Sequence, residues 1–193
     1  MKENFKIDFT VNKQQLRSRY KQKRENLSSA EKNSLHENIY QQIYELDISE
    51  VKIIHIFLSL EKFNEINTGP IIDYFRTKNI KIVVPKTNLK NNSLTHFYLE
   101  DDTELEINHY GIPEPTDAIQ VPENAIDLVF VPLLISDKNH HRIGYGKGFY
   151  DRFLSICRPN CIKIGLNFFK PISEIKDIDE FDIALDLVLY PKQ

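Results

Sequence analysis

The strongest constraint on the fold is the order of segments between Val51 and Pro85. Val51 to Leu58 is a short apolar run rich in isoleucine, bounded like a buried strand. A polar loop, Ser59 to Asn67, leads to a helical segment from near Thr68 to near Lys78, and a second apolar run follows at Ile80 to Pro85. Strand, loop, helix and strand in that order make a βαβ unit, and such units build parallel sheets whose ligands gather beyond the carboxyl ends of the strands. Asp127 to Val131, Cys161 to Phe168 and Asp186 to Leu189 read as further buried strands, and Leu94 to Leu99 as a strand at or near an edge. A chain of 193 residues with 41% hydrophobic and 27% charged content fits one globular domain with a full core. The expected fold is therefore α/β, an open, mostly parallel sheet flanked by helices, with some antiparallel strands. A helical segment at about 12–46 would precede an α/β body at about 51–193.

Three of the six glycines, Gly144, Gly146 and Gly148, fall within five residues, just before a segment from Phe149 to Ile156 that reads as an amphipathic helix. Glycines so placed leave room for a ligand against the backbone, and the helix start adds unpaired N–H groups, so the junction is a candidate phosphate cradle. Its spacing is neither the dinucleotide fingerprint nor a P-loop, and a tight turn before a helix explains the glycines alone equally well. Arg142, Lys147 and Asp151 favour the ligand site, because phosphates need cations and their metal needs a carboxylate.

Asn12 to Asn26 reads as a basic helix with Lys13, Arg17, Tyr20, Lys21 and Arg24 on one side; Lys21 and Arg24 are expected on a solvated face. Ser28 to Glu31 resembles a capping box opening a second helix whose apolar stripe is Leu35, Ile39, Ile43 and Leu46. Glu65 lies in the loop after the first strand, where function gathers. His55 is expected in the core, His96 on the solvent face of its strand, and Asp101 to Glu106 in a solvated acidic loop. Gly111 to Pro115 should run extended and irregular through its prolines, and Leu133 to His141 should be a loop into the glycine cradle. His140 and His141 are left unassigned, since adjacent histidines in extended chain point opposite ways. Tyr110 and Ile112 are given no chemical role. Cys157 and Cys161 are read as core thiols.

The run Asp127 to Leu154, DLVFVPLLISDKNHHRIGYGKGFYDRFL, closely resembles the signature of the 5-formyltetrahydrofolate cyclo-ligases, also called 5,10-methenyltetrahydrofolate synthetases. KQQLR at 13–17, NEINT at 64–68, IVVPK at 82–86, GIPEP at 111–115 and ALDLVLY at 184–190 fit in the family's order, so the resemblance covers nearly the whole chain. It implies an enzyme that uses ATP and Mg²⁺ to cyclise 5-formyltetrahydrofolate to 5,10-methenyltetrahydrofolate, releasing ADP and phosphate. By the same resemblance Lys13 and Arg17 meet the ATP phosphates, together with Arg142 and the stretch Gly144, Tyr145, Gly146, Lys147, Gly148, Phe149 and Tyr150. Arg142 and Lys147 are the implied catalytic cations. Leu60 and Glu65, with Tyr145, Gly146, Lys147, Gly148 and Phe149, are implied for the folate, with Glu65 on the reduced pterin. Asn67 stands where the motif often has an acid, which leaves Glu65 as its only carboxylate. Asp151 and Asp186 match the magnesium carboxylates, with Asp182 as a further candidate partner.

Phosphoryl transfer asks for positioning and charge neutralisation more than for a protein nucleophile, which suits a motif of glycines, cations and carboxylates with no Ser-His-Asp set. The competing reading is a non-catalytic nucleotide- or RNA-binding regulator, carried by the basic helix. A sugar-phosphate isomerase or CoA-transferase is fold analogy only. A net charge of -3 argues against a dedicated nucleic-acid binder. Nothing at the start of the chain resembles a signal peptide, and no run of 18 apolar residues occurs. The expectation is a cytoplasmic monomer acting on free or polyglutamylated folate, with neither nucleic acid nor membrane as partner.

Overall fold

A computed structural model describes residues 11–108 and 111–192; the chain start and Tyr110 lie outside the described residues. Helix α1, Lys13–Glu25, opens on a capping box in which Asn12 accepts from the Gln15 N–H at 2.9 Å and the Gln15 side chain accepts from the Asn12 N–H at 3.0 Å. Helix α2, Ser29–Tyr44, opens on the same device, with Ser28 and Glu31 in the two roles. The strands and remaining helices follow as β1 (Ile53–His55), α3 (Gly69–Thr77), β2 (Lys81–Asn88), β3 (Ser93–Tyr98), β4 (Leu105–Ile107), β5 (Pro113–Pro115), β6 (Leu128–Pro132), β7 (Ile135–Ser136), β8 (Arg142–Ile143), α4 (Phe149–Ile156), β9 (Ile162–Leu166) and β10 (Leu187–Leu189).

Six strands form the central sheet in the order β10-β9-β6-β1-β2-β3, parallel throughout except for the antiparallel β2–β3 pair at one edge. Its strands are apolar on both sides because both faces are covered. Ile54, Ile82, Val84, Leu128 and Phe130 pack with Ile39 and Ile43 of α2 and Ile71, Ile72 and Phe75 of α3. The intervening Val83, Val129 and Val131 pack with Phe153 and Leu154 of α4 on the other face. The alternation along β2 and β6 is the period of two expected of a strand. Phe75, fully buried with its ring 5.8 Å from that of Phe130, is one of the larger contributors, and truncation to Ala would cost about 3–5 kcal/mol.

From the adjacent strands β1 and β6 the chain departs in opposite directions across the sheet, through α3 to β2 and through α4 to β9. That divergence opens a crevice beyond the carboxyl ends of β1 and β6.

Three local expectations are corrected. His96 is not on a solvent face: it is 1% exposed, its ring centroid 5.0 Å from that of His55 and 4.1 Å from that of Phe153, because α4 covers this side of β3. The acidic stretch is not wholly a loop, since Leu105–Ile107 pairs antiparallel with Pro113–Pro115. Glu114 anchors that hairpin to β2 by accepting from the Thr87 N–H at 2.8 Å. The segment before the glycines is likewise a short hairpin, β7 against β8. Its tip is held by the fully buried Asp137, whose carboxylate accepts from the N–H groups of Asn139 and His141 at 2.9 Å and of Ile175 at 3.0 Å. His140 takes a left-handed φ of 63° at that tip, with Nδ1 3.2 Å from the Leu185 carbonyl, while His141 Nδ1 lies 3.5 Å from Asp137.

Candidate functional site

A cleft of about 720 Å³ lies beyond the carboxyl ends of β1, β2 and β6, bounded by the 144–148 loop, α1 and the β4–β5 hairpin. One end is polar and cationic. Arg17 Nε donates to the Gly144 carbonyl at 3.0 Å, which fastens α1 across the loop. Gly146, at φ 90°, must be glycine for this packing, because a Cβ there would sit 2.9 Å from Arg17 Cζ. Gly148, at φ 70°, is the residue before α4, and Arg152 curls back beneath it to donate to the Lys147 carbonyl at 2.9 Å. A Cβ on Gly144 would meet nothing within 4 Å. None of the backbone N–H groups from Gly144 to Gly148 donates to a protein acceptor among the described residues.

Arg142, Lys13, Lys147, Asp151 and Asp182 share this end of the cleft. Arg142 donates through Nη2 to Asp151 Oδ1 and through Nη1 to the Ile183 carbonyl; the Ile183 N–H reaches the same Oδ1 at 3.3 Å. Burial pushes the Arg142 pKa down while Asp151 and Asp182 pull it back up, and a guanidinium in that setting stays charged. Lys13 Nζ pairs with Asp182 and lies 3.5 Å from Asp179. Burial opposes the Lys13 charge, but the two carboxylates outweigh it and raise its pKa.

The other end of the cleft is lined by Phe57, Leu60, Phe63, Pro85, Leu94 and Ile112. Glu65 is positioned at the border between the two ends by a 3-10 turn, Glu61–Phe63, and by Asn64 in a left-handed conformation at φ 48°. The Leu60 N–H donates to Glu65 Oε2 at 2.9 Å, and the Tyr145 hydroxyl donates to Oε1. Burial raises the Glu65 pKa; the bonds from Tyr145 and Leu60 and the charge of Arg24 act against it. Phe149 and Tyr150 also line the cleft, and burial pushes the Tyr150 phenol pKa upward.

The structure thus brings together Lys13, Arg17, Leu60, Glu65, Arg142, the 144–148 loop, Phe149, Tyr150 and Asp151. It does not bring in Asp186. That residue precedes β10 and is held opposite Lys163, accepting from its N–H at 2.7 Å and from its Nζ at 3.4 Å. It therefore lies at the amino end of its strand, away from the cleft at the carboxyl ends. Asp182, four residues earlier, lines the cleft instead. Among the described residues no group of three or more His, Cys, Asp or Glu side chains converges as a metal site. Two carboxylates on one cleft wall nevertheless fit Mg²⁺, which takes one or two from protein and the rest from phosphate and water. Both bonds to Asp151 fall on Oδ1.

Arg24 is a second correction. Expected in solvent, it is 5% exposed and donates through Nη2 to the Tyr145 hydroxyl. Lys21 Nζ lies 5.5 Å from the Tyr145 ring centroid, so it too leans on the loop. Both cysteines are free thiols, Cys161 buried and Cys157 partly so.

The 5-formyltetrahydrofolate cyclo-ligase family matches the chain over residues 9–191. The chain is 32% identical over 182 residues to the 5-formyltetrahydrofolate cyclo-ligase of Haemophilus influenzae, covering 91% of this chain and 96% of that one. It is 30% identical over 182 residues to the enzyme of that name from Mycoplasma genitalium, covering 93% and 98%. Among solved structures, a 5,10-methenyltetrahydrofolate synthetase from Mycoplasma pneumoniae superposes with a TM-score of 0.76 at 25% identity, over 93% of this chain and 98% of that one. The synthetase from Aquifex aeolicus gives 0.79 at 25% identity, over 94% and 90%.

Proposed function

The chain belongs to the 5-formyltetrahydrofolate cyclo-ligase family, and on that premise we propose how its residues divide the work. The protein is an ATP-dependent ligase that cyclises 5-formyltetrahydrofolate to 5,10-methenyltetrahydrofolate with release of ADP and phosphate. The formyl oxygen is a poor leaving group until it accepts the γ-phosphoryl of ATP. N10 then attacks the resulting iminium carbon, the C–O bond breaks, phosphate leaves with the electron pair, and the N10 proton passes to solvent. An RNA-binding regulator is not favoured.

In our reading the ATP phosphates lie on the 144–148 loop, and the observation that carries it is the row of unengaged N–H groups there, flanked by Lys13, Arg17, Arg142 and Lys147. Preformed donors and cations aimed at the migrating charge need no reorganisation when the phosphoryl moves. Arg142 is held rigidly by Asp151 and Ile183, whereas the exposed Lys147 is free to follow the phosphoryl group. Asp151 and Asp182 would hold Mg²⁺, which would supply positive charge to neutralise the phosphates, with Lys13 beside it on Asp182. Glu65 accepts from pterin N–H groups, and Phe57, Leu60 and Ile112 wall the folate. In our reading the chain is a single domain acting as a monomer. Two free thiols in sequence positions 157 and 161 suit a reducing cytoplasm, and no described helix is long and apolar enough to cross a membrane.

Replacing Lys13 and Arg17 together by Ala tests the assignment of α1. The KM for ATP should rise by about tenfold or more, given roughly 1.5–3 kcal/mol for each well-made charge-assisted contact, while the KM for folate stays within about twofold. An unchanged KM for ATP would remove α1 from the nucleotide site.

A further inference from the structure

Arg24 is the one cation of α1 that is buried, and nothing in the reaction as described uses it. Its Nη2 donates to the Tyr145 hydroxyl, and that hydroxyl donates to Glu65 Oε1. A phenol has one proton to give, so with the proton committed to Glu65 the oxygen is left to accept from Arg24. The three side chains come from α1, the glycine loop and the loop after β1, and they form a directed chain from cation to anion. Asn64 strengthens the connection by donating through Nδ2 to the Arg24 carbonyl at 3.4 Å.

A guanidinium this buried is costly unless a countercharge is near, and a carboxylate as desolvated as Glu65 is costly without a cation. Each supplies what the other lacks, with Tyr145 between them. The other titratable groups facing Glu65 cannot substitute for Arg24. Burial keeps the Tyr150 phenol of α4 neutral by raising its pKa. His36 of α2, against the backbone at Glu65, has its pKa lowered by burial and accepts from the Asn67 N–H at 3.1 Å.

We propose that Arg24 is a positioning residue for folate recognition, one that aims the Tyr145 hydroxyl at Glu65 and keeps Glu65 an anionic acceptor for the N–H donors of the pterin. This rests on the reading of Glu65 as the pterin acceptor. Burial already raises the pKa of Glu65, and Arg24 opposes that rise. Without Arg24 the carboxyl would protonate at higher pH and lose its acceptor role there.

The test is the pH profile of kcat/KM for 5-formyltetrahydrofolate in wild type, Arg24→Met, Arg24→Lys, Tyr145→Phe and Glu65→Gln. Arg24→Met should move the acid limb up by about one pH unit, raising the folate KM by roughly tenfold at pH values below the wild-type limb and by less toward neutrality, with the KM for ATP within about twofold. Arg24→Lys, which keeps the charge, should restore most of the limb. Tyr145→Phe interrupts the chain with Arg24 in place, and so provides the same readout if Arg24→Met does not fold. An acid limb at the wild-type pH in Arg24→Met or Tyr145→Phe, alongside a folate KM raised tenfold in Glu65→Gln, would overturn the role of Arg24 and leave that of Glu65 standing. An unchanged folate KM in Glu65→Gln would overturn both.

Discussion

Lys13 and Asp182 lie 169 residues apart in the sequence and form an ion pair at the mouth of the cleft, with Arg142 feeling the charge of Asp182 from behind. In the proposed reading a cation that serves phosphate is thus paired with a carboxylate suited to metal.

The proposed magnesium site can be tested on that geometry. Asp151→Asn and Asp182→Asn should each raise the Mg²⁺ concentration for half-maximal turnover by at least about tenfold, roughly one charge-assisted contact. Asp186→Asn should leave it within about twofold, because Asp186 bonds to Lys163 at the far end of the sheet. Titrating Mn²⁺ into each variant by electron paramagnetic resonance, with ADP present, gives the same ordering without turnover. A loss in Asp186→Asn that Asp182→Asn does not share would contradict the assignment.

Two glycines of the loop should behave differently. Gly146→Ala places a side chain at φ 90° and against Arg17, so it should lower stability by roughly 1–2 kcal/mol and weaken ATP together. A Cβ on Gly144 meets nothing within 4 Å, so Gly144→Ala should leave the melting temperature unchanged and still raise the KM for ATP if the proposed phosphate site runs along the loop. Equal thermal losses in the two variants would mean that both glycines serve the fold.

His55 and His96 should make the protein acid-sensitive. Both are buried, and their ring nitrogens have no hydrogen-bond partner among the described residues. Burial lowers the His96 pKa from 6.5 to about 4, with Glu123 opposing, and lowers that of His55 well below 6.5. The unfolded chain therefore binds more protons than the folded one between these values, so stability is full above about pH 6.5 and falls as pH drops toward 4. The slope is at most about 1.4 kcal/mol per pH unit for each histidine. Urea unfolding at pH 7, 6 and 5 should show it, and His96→Phe should remove about half. A wild-type slope in that variant would place the acid sensitivity elsewhere.

Much of the sheet was legible because its strands are short apolar runs set off by polar loops, and the βαβ order from Val51 to Pro85 implies parallel pairing. The glycine loop and its cations were legible as a cluster of rare residues beside charges. Asp182 and Asp186 were harder, because the family motif matches Asp186 and only the register of β10 against β9 shows that Asp182, four residues earlier, is the one that reaches the cleft. Arg24 shares a helical side with Lys13 and Arg17, yet from the sequence it reads as part of a solvated face. Its partner Tyr145 is 121 residues away, and a lone cation is ordinarily solvated. The burial of His96 depends on where α4 lands, which the alternation within β3 does not encode.

The most direct measurement is the growth of 5,10-methenyltetrahydrofolate absorbance from 5-formyltetrahydrofolate, followed together with ADP release. The account predicts product only when folate, ATP and Mg²⁺ are all present, with one ADP for each ring closed. Product formed without ATP, or ADP released with folate present and no ring closed, would contradict it.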